Sequence, residues 1–352
     1  MAVPAIAITM GDPAGVGPEI IVKACRALAP RLDDGSLRLT VLGSIAALHR
    51  AAAVLGATLP AVETTVGRAG AVPLEMIDVD PDRPDVPVGD VSAAGGNYAF
   101  LAVKAGVDLA LAGRVDAIVT APLNKEALNK AGHAYAGHTD MLADLTGATG
   151  SVMMLAHEGM RVSHVSTHVP LSAVPGLLTA ERLRRVIDLT AEALEELGIA
   201  RPRIAVAALN PHAGEGGIFG REDIDVTTPV VADYRARGRE VEGPVPGDTV
   251  FVKLHGGRYD AVVAMYHDQG HIPVKLLGFR TDPETGAWQA LNGVNVTLGL
   301  PIIRTSVDHG TAFDIAGTGT ANEESLIEAI DYALTIAANR RAREAGGAAR
   351  RA

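Results

Sequence analysis

Cysteine is almost missing from this chain of 352 residues: Cys25 stands alone. A single thiol excludes an intrachain disulfide and a thiolate metal cluster. Aromatic residues make up 3% of the chain, so the core has to be built from Ala, Val, Leu and Ile. Basic charge is short as well, with 31 Lys and Arg against 41 Asp and Glu and a formal net charge of −10. That balance argues against nucleic acid or an anionic membrane as the main partner. It leaves room for an anionic small molecule, which needs only a few local cations. The apolar start, residues 1–10, is too short to span a bilayer and carries no basic n-region, so a cytoplasmic protein is expected. Tandem repeats and low-complexity inserts are missing too. What is there is 48% hydrophobic and 20% charged, the composition of a globular protein, and its length suggests two domains.

The most informative stretch is Asp260-Ala-Val-Val-Ala-Met-Tyr-His-Asp-Gln-Gly-His271. Ala261 to Met265 is a continuous apolar run, which suits a strand buried on both faces of a parallel sheet. Six residues without a bulky aliphatic follow it, directly after the expected strand. Open α/β sheets bind ligands outside the carboxyl ends of their strands. The same grammar recurs where Arg203 to Leu209 runs into Asn210-Pro-His-Ala-Gly-Glu215, and where Arg161 to Thr167 runs into His168-Val-Pro170. Three segments thus deliver a histidine at an expected strand end: His168, His212 and His267. Neighbouring parallel strands would bring those ends together. Three neutral imidazoles without a thiolate suit Zn²⁺ or another divalent ion, with positions left open for substrate. Any one of them alone is more simply a hydrogen-bonded loop residue.

Elsewhere the chain alternates strand and helix signals. A first strand from Pro4 enters Gly11-Asp-Pro-Ala-Gly-Val-Gly-Pro-Glu19, whose glycines allow close backbone approach to a ligand. This segment lacks the G-x-G-x-x-G spacing, so an ordinary Rossmann dinucleotide site is not supported. Strands are expected at 37–42, 74–79, 115–120, 293–298 and 302–306. Residues 60–96 are expected to be largely irregular. Residues 179–197 carry the clearest helical stripe, with Gly198 as its stop. Gly137-His-Thr-Asp140 precedes an expected helix at 141–145, with Thr139 or Asp140 as its cap, and a helix amino terminus suits an anion. Residues 244–249 are expected to be a loop. Asp282-Pro283 with Gly286 marks a hairpin tip, the last helix is expected over 323–340, and the Arg-rich tail beyond it should be frayed. Lys275 and Arg304, with His138 and Thr139, would suit a phosphorylated or carboxylated substrate.

Several motifs together resemble the 4-hydroxythreonine-4-phosphate dehydrogenase family of vitamin B6 biosynthesis. They are Gly11-Asp-Pro-Ala-Gly-Val-Gly-Pro18, Gly137-His-Thr139, Thr167-His-Val-Pro-Leu171, Asn210-Pro-His-Ala-Gly-Glu-Gly216, Met265-Tyr-His-Asp-Gln-Gly270 and Arg304-Thr-Ser-Val-Asp-His-Gly-Thr311. The resemblance covers nearly the whole chain. It implies NAD-dependent oxidation of a phosphorylated hydroxy acid followed by loss of CO₂. It also implies a divalent metal (Zn, or Mg, Mn or Co) on His168, His212 and His267, and substrate contacts at His138, Thr139, Lys275, Asn295 and Arg304. A homodimer with a shared active site is implied as well. The segment His309 to Asn322 resembles the nucleotide loop of isocitrate and isopropylmalate dehydrogenases, and Gly11 to Glu19 their amino-terminal glycine turn. By that similarity Gly11, Gly15, His309, Gly310, Asp314 and Asn322 are cofactor residues. Asp314 would face the ribose, favouring NAD over NADP.

The expected fold is α/β, a two-domain parallel or mixed sheet like those dehydrogenases, with the active site in the interdomain cleft. Residues 1–126 with 300–352 are expected to bind nucleotide, and 127–299 metal and substrate. The resemblance implies oxidation of 4-phosphohydroxy-L-threonine to 3-amino-2-oxopropyl phosphate. The segment Arg280 to Leu291 looks like an insertion relative to the vitamin-pathway enzymes. It resembles the sister group that converts D-threonate or D-erythronate 4-phosphate to dihydroxyacetone phosphate. Asp248 and Lys275 are the candidate general bases. A zinc hydrolase or aldolase, and a non-catalytic phosphosugar-acid binder, are the rivals from other classes. The H-x-H pair of many hydrolases is missing, and the loop a silent binder would have lost is intact.

Overall fold

The computed structural model describes residues 3–59, 62–64, 73–83, 85–284 and 288–349. The chain divides into two compact units, Met1–Thr149 with Leu300–Ala352, and Gly150–Gly299. Both are α/β.

The first unit begins with β1 (Ala5–Thr9), every residue of which is buried. Helix α1 (Gly17–Ala27) follows, with Pro18 in its first turn. Then come α2 (Ala29–Asp33), β2 (Arg38–Gly43), α3 (Ile45–Val54), β3 (Val62–Glu63) and β4 (Leu74–Asp78). Helix α4 (Ala93–Leu111), capped by Ser92 Oγ on the Gly95 N–H, leads to β5 (Ala117–Thr120). Helices α5 (Lys125–Lys130) and α6 (His138–Thr146) complete the first pass.

The second unit runs through β6 (Val152–His157), β7 (Met160–His164), α7 (Val174–Leu177), α8 (Ala180–Glu196) and β8 (Ile204–Ala207). It continues with α9 (Thr228–Ala236), β9 (Val241–Val245), α10 (Gly247–His255), β10 (Ala261–Ala264) and α11 (His267–Gly278). A hairpin, β11 (Phe279–Thr281) with β12 (Trp288–Leu291), and β13 (Val294–Leu298) close it. The chain then returns to the first unit as β14 (Ile303–Val307) and α12 (Glu324–Ala349).

In the first unit the strand order is β3-β4-β2-β1-β5-β14, all parallel. In the second it is β13-β6-β7-β10-β8-β9, with the first two pairings antiparallel and the rest parallel. Each unit has its own aliphatic core. Leu42, Val103, Ile118 and Met141 lie in the first, and Leu155, Val162, Val262 and Val274 in the second. On α8, Leu183, Val186, Ile187, Thr190 and Leu194 are buried as one stripe, and Thr179 Oγ1 caps its start by accepting the Arg182 N–H at 3.1 Å.

Several boundaries differ from those expected. The first crossing between units falls at 149/150 rather than 126/127, because Met141 and Leu142 of α6 bury their side chains in the first core. That helix starts at His138 with Gly137 as its N-cap, so neither Thr139 nor Asp140 caps it. Residues 244–249 are not a loop: β9 ends at Val245 and α10 starts at Gly247. Residues 267–271, which the sequence placed only at a strand's carboxyl end, are the opening of α11: Tyr266 is extended and hands the chain directly into the helix. Helix α12 runs to Ala349, and Arg341 is not frayed, since its guanidinium forks onto Asp116 at 2.6 and 2.7 Å. The hairpin expected after Gly278 is present, but Gly286 lies outside the described residues.

Candidate active site

In the second unit β10 lies between β7 and β8, parallel to both, so three carboxyl ends point the same way. Side chains fasten these ends to one another. Gln269 Oε1 accepts the Met265 N–H at 2.6 Å, while its Nε2 donates to the Ala208 carbonyl at 2.8 Å. Ser166 Oγ donates to the Met265 carbonyl at 2.8 Å. These bonds fix the frame on which the expected histidines stand.

His168 follows β7, and His267 is the first residue of α11. Their ring centroids are 5.6 Å apart. Two imidazoles on one tetrahedral ion, with metal–nitrogen bonds of about 2 Å, have centroids roughly 5 Å apart, so the pair fits a shared divalent ion. His267 Nδ1 donates to Asp268 Oδ1 at 2.7 Å, which leaves Nε2 as the lone-pair nitrogen. The donor chemistry therefore suits the metal that the sequence implies.

His212 follows β8 on a different kind of backbone. Residues 212–216 all have positive φ: His212 51°, Ala213 54°, Gly214 85°, Glu215 41° and Gly216 65°. A left-handed turn costs about 1–2 kcal/mol for each residue with a Cβ, and such strain clusters at functional sites. Buried Asp223 helps to hold the turn, accepting the N–H groups of Leu209 and Asn210 at 2.9 and 2.8 Å. The His212 ring lies 6.4 Å from that of Phe219. Among the described residues no group of three His, Cys, Asp or Glu side chains is close enough to hold an ion. One chain thus brings His168 and His267 together and leaves His212 outside the pair.

Other expected residues of this unit are spread along its elements. Lys275 lies two turns along α11 from His267, half-buried, with its Nζ 4.7 Å from the Phe279 ring centroid. Asn295 is half-buried on β13. Asp248 is exposed in the first turn of α10.

In the first unit His138 opens α6, followed by half-buried Thr139. Burial, with the Arg304 guanidinium beside it, pushes His138 well below the usual histidine range, so the ring is neutral at pH 7. Its Nε2 is buried without a hydrogen-bond partner among the described residues. Arg304 lies on β14, 3% exposed, and donates to Thr120 Oγ1 at 2.6 Å. Burial lowers its pKa to about 9, which still leaves it charged at pH 7. A buried cation beside a neutral imidazole is a natural receiver for an anionic group.

The expected cofactor loop packs on the glycine turn. Gly11 has φ 71°, and a Cβ there would fall 1.9 Å from the Pro122 carbonyl oxygen. A Cβ on Gly15 would fall 2.7 Å from the Thr311 carbonyl oxygen, and the Val16 N–H donates to that same oxygen at 3.0 Å. His309 Nδ1 donates to the Gly310 carbonyl at 3.0 Å. Asp314 is exposed, and Asn322 Oδ1 accepts the Glu324 N–H at 2.7 Å, at the entry to α12.

Sequence reasoning gave no supporting role at these positions to several residues that have one. Glu19 accepts the N–H groups of Gly317 and Gly319, and Lys23, one turn on, donates to the Ala321 carbonyl at 2.5 Å. His271 stacks on His267, and His164 lies behind it. Helical spacing was a usable signal in both cases, since Glu19 and Lys23, like His267 and His271, are four residues apart.

Comparison with known proteins points the same way. Residues 36–333 match the family described as pyridoxal phosphate biosynthetic protein PdxA. A Bradyrhizobium diazoefficiens protein provisionally named D-threonate 4-phosphate dehydrogenase is 64% identical, over 95% of this chain and 96% of its own length. The 4-hydroxythreonine-4-phosphate dehydrogenase of Desulfosudis oleivorans is 48% identical, over 95% and 96% of the two chains. A crystal structure of 4-hydroxythreonine-4-phosphate dehydrogenase from Klebsiella pneumoniae is similar, with a TM-score of 0.78 and 44% identity, covering 95% of this chain and 99% of that one.

Proposed function

The chain belongs to the family of the pyridoxal phosphate biosynthetic protein PdxA, and from that membership we propose an NAD-dependent, divalent-metal-dependent dehydrogenase that oxidises and decarboxylates a 4-phosphorylated 3-hydroxy acid. The observation that carries the reading is the pairing of His168 and His267 at the carboxyl ends of adjacent parallel strands. D-threonate 4-phosphate, giving dihydroxyacetone phosphate, is the substrate favoured by the 64% identical relative. The 48% identical relative favours a second reading, 4-phosphohydroxy-L-threonine giving 3-amino-2-oxopropyl phosphate.

His168 and His267 are the metal ligands of one copy, and a second copy supplies His212. Two observations support this division. His212 stands outside the pair, and beside it Ile218 and Phe219 are 76% and 49% exposed. Ile272 and Leu276, one turn apart on α11, are 64% and 79% exposed. Apolar side chains left in water on this scale mark a surface that another chain covers, and a homodimer is the simplest closed assembly. A divalent ion held by these imidazoles supplies Lewis-acid polarisation of a substrate oxygen.

The remaining roles follow from charge. Arg304, neutral His138 and Thr139 hold the phosphate or carboxylate, and Lys275 and Asn295 contact the rest of the substrate. Lys275, half-buried, and Asp248, exposed, are the candidates for taking the hydroxyl proton. Because the alcohol stands β to the carboxylate, its oxidation yields a keto acid that loses CO₂ readily. Gly11, Gly15, His309, Gly310, Asp314 and Asn322 form the NAD site. The proposed place of work is the cytoplasm.

The test is NADH formation by metal-loaded protein on D-threonate 4-phosphate, D-erythronate 4-phosphate and 4-phosphohydroxy-L-threonine. The highest kcat/KM is expected with D-threonate 4-phosphate. A preference for the amino acid selects the second reading, and turnover of none of the three contradicts both.

A further inference from the structure

Position 271 is four residues beyond His267 on α11, so the two side chains share a helix face one turn apart. Their rings are nearly coplanar in direction and in contact, with centroids 3.7 Å apart and planes inclined by 10°. His271 Nδ1 lies 2.9 Å from the His267 carbonyl oxygen. A carbonyl only accepts, so Nδ1 carries the proton. The same side chain therefore grips His267 twice, at its ring face and at its backbone.

His271 is itself held from behind. It is 6% exposed, and its ring centroid lies 4.7 Å from that of His164, which is fully buried on β7. His164 Nδ1 donates in turn to the Met153 carbonyl on β6 at 3.2 Å. The helix can come this close because residue 270 is glycine: a Cβ there would fall 2.3 Å from His164 Nε2. Two strands, through two buried rings, thus set the position of the first residue of α11. The His267 ring also hydrogen-bonds to Asp268, whose side chain is 72% exposed and is held in place less firmly.

We propose that His271 is a positioning residue, which by stacking on His267 fixes the plane in which that ring presents Nε2 to a divalent ion. The proposal rests on the metal-ligand reading of His267. An imidazole free to turn about its χ2 angle loses that freedom on binding a metal, whereas one already stacked does not. Groups that orient a ligating histidine typically change metal affinity by tenfold to a hundredfold when removed.

The experiment measures Zn²⁺ affinity of the full-length protein, stripped of metal, by competition with a chromophoric chelator. Wild type, His271→Leu, His271→Phe and Asp268→Asn are compared, and thermal midpoints of the metal-free proteins are recorded alongside. His271→Leu, which fills the space without a ring, is expected to weaken Zn²⁺ binding roughly tenfold or more. His271→Phe restores most of the affinity because the stack survives, and Asp268→Asn costs less than His271→Leu. Equal affinity in wild type and His271→Leu overturns the proposal, as does a Phe variant no better than Leu. If His271→Leu does not fold, the Phe variant decides alone: affinity within a few-fold of wild type supports the stack, and a loss of tenfold or more with an unchanged thermal midpoint overturns it. Failure of the wild type to bind Zn²⁺ would instead sink the metal-ligand reading itself, so the two failures are distinguishable.

Discussion

Glu19 and Gly319 are joined across 300 positions of the chain: Glu19 Oε2 accepts the Gly319 N–H at 2.7 Å, and Oε1 takes that of Gly317. One buried carboxylate in the first turn of α1 therefore holds the glycine-rich segment that leads from Asp314 to Asn322. Glu19→Ala leaves two N–H groups without their acceptor, a loss on the order of 3 kcal/mol in stability. The KM for NAD is expected to rise about tenfold, equivalent to about 1.4 kcal/mol, while Zn²⁺ affinity stays unchanged. Urea denaturation, initial rates at varied NAD and a metal titration read the three quantities. An unaltered KM for NAD in a folded variant would show that the clamp does not serve the cofactor.

The division of metal ligands between copies has a direct genetic test. His212→Ala and His267→Ala should each be inactive as pure proteins. When subunits of a symmetric dimer are mixed at random, about a quarter of the sites regain all three histidines if His212 acts in the partner's site. Activity should return to roughly that fraction of wild type on mixing by co-expression or by unfolding and refolding together. No recovery would place all three ligands in one chain.

Asp314 is exposed on the loop and is free to meet a ribose hydroxyl. Asp314→Ser is expected to weaken NAD binding and narrow the gap between NAD and NADP, since a carboxylate repels the 2′-phosphate. The ratio of kcat/KM for the two cofactors measures this. A wild type that prefers NADP would remove the loop assignment.

Asp12 carries a pH signature of folding. It is fully buried in the glycine turn three residues beyond β1, and desolvation raises its pKa to about 6, against a smaller lowering by the Ala14 N–H. The folded state thus holds this proton more tightly than the unfolded chain. Its contribution is fully present below pH 4 and is lost as pH rises through about 6. The shift is worth about 3 kcal/mol. Asp12→Asn keeps the acceptor for Ala14 but cannot ionise. Relative to wild type it should gain stability steadily between pH 4 and 6 and hold the gain above pH 6. His164 and His271, whose pKa values burial lowers to about 4 and about 3, bias both proteins the opposite way and cancel in the difference. Urea midpoints of both proteins across this range are the measurement, and parallel curves would show that Asp12 titrates normally.

Much of this architecture was legible in local pattern. The apolar runs before His212 and His267 read as parallel strands because both faces of such a strand exclude polar residues. The stretch before His168, which carries Ser163 and His164, read as a strand only by its matching position, and β7, β10 and β8 are neighbours. The pairing of His168 with His267 followed from that. What did not read was set by packing or by acceptors distant in sequence. The placing of α6 in the first unit depends on Met141 and Leu142 finding that core. The helical state of residues 267–271 depends on tertiary bonds such as that of Gln269 to Ala208, which overrule a stretch poor in aliphatics. The Glu19 clamp joins residues so far apart that no local window contains both. The left-handed turn at 212–216, on which His212 stands, was hinted at only by its glycines.

In the proposed reaction one metal-dependent site both oxidises its substrate and releases CO₂. NADH formation and labelled CO₂ release are followed together on D-threonate 4-phosphate labelled at its carboxylate. One CO₂ per NADH is expected, with both signals abolished by a chelator and restored by Zn²⁺, Mn²⁺ or Co²⁺. NADH without CO₂, or full turnover in the chelator, would rule that reaction out.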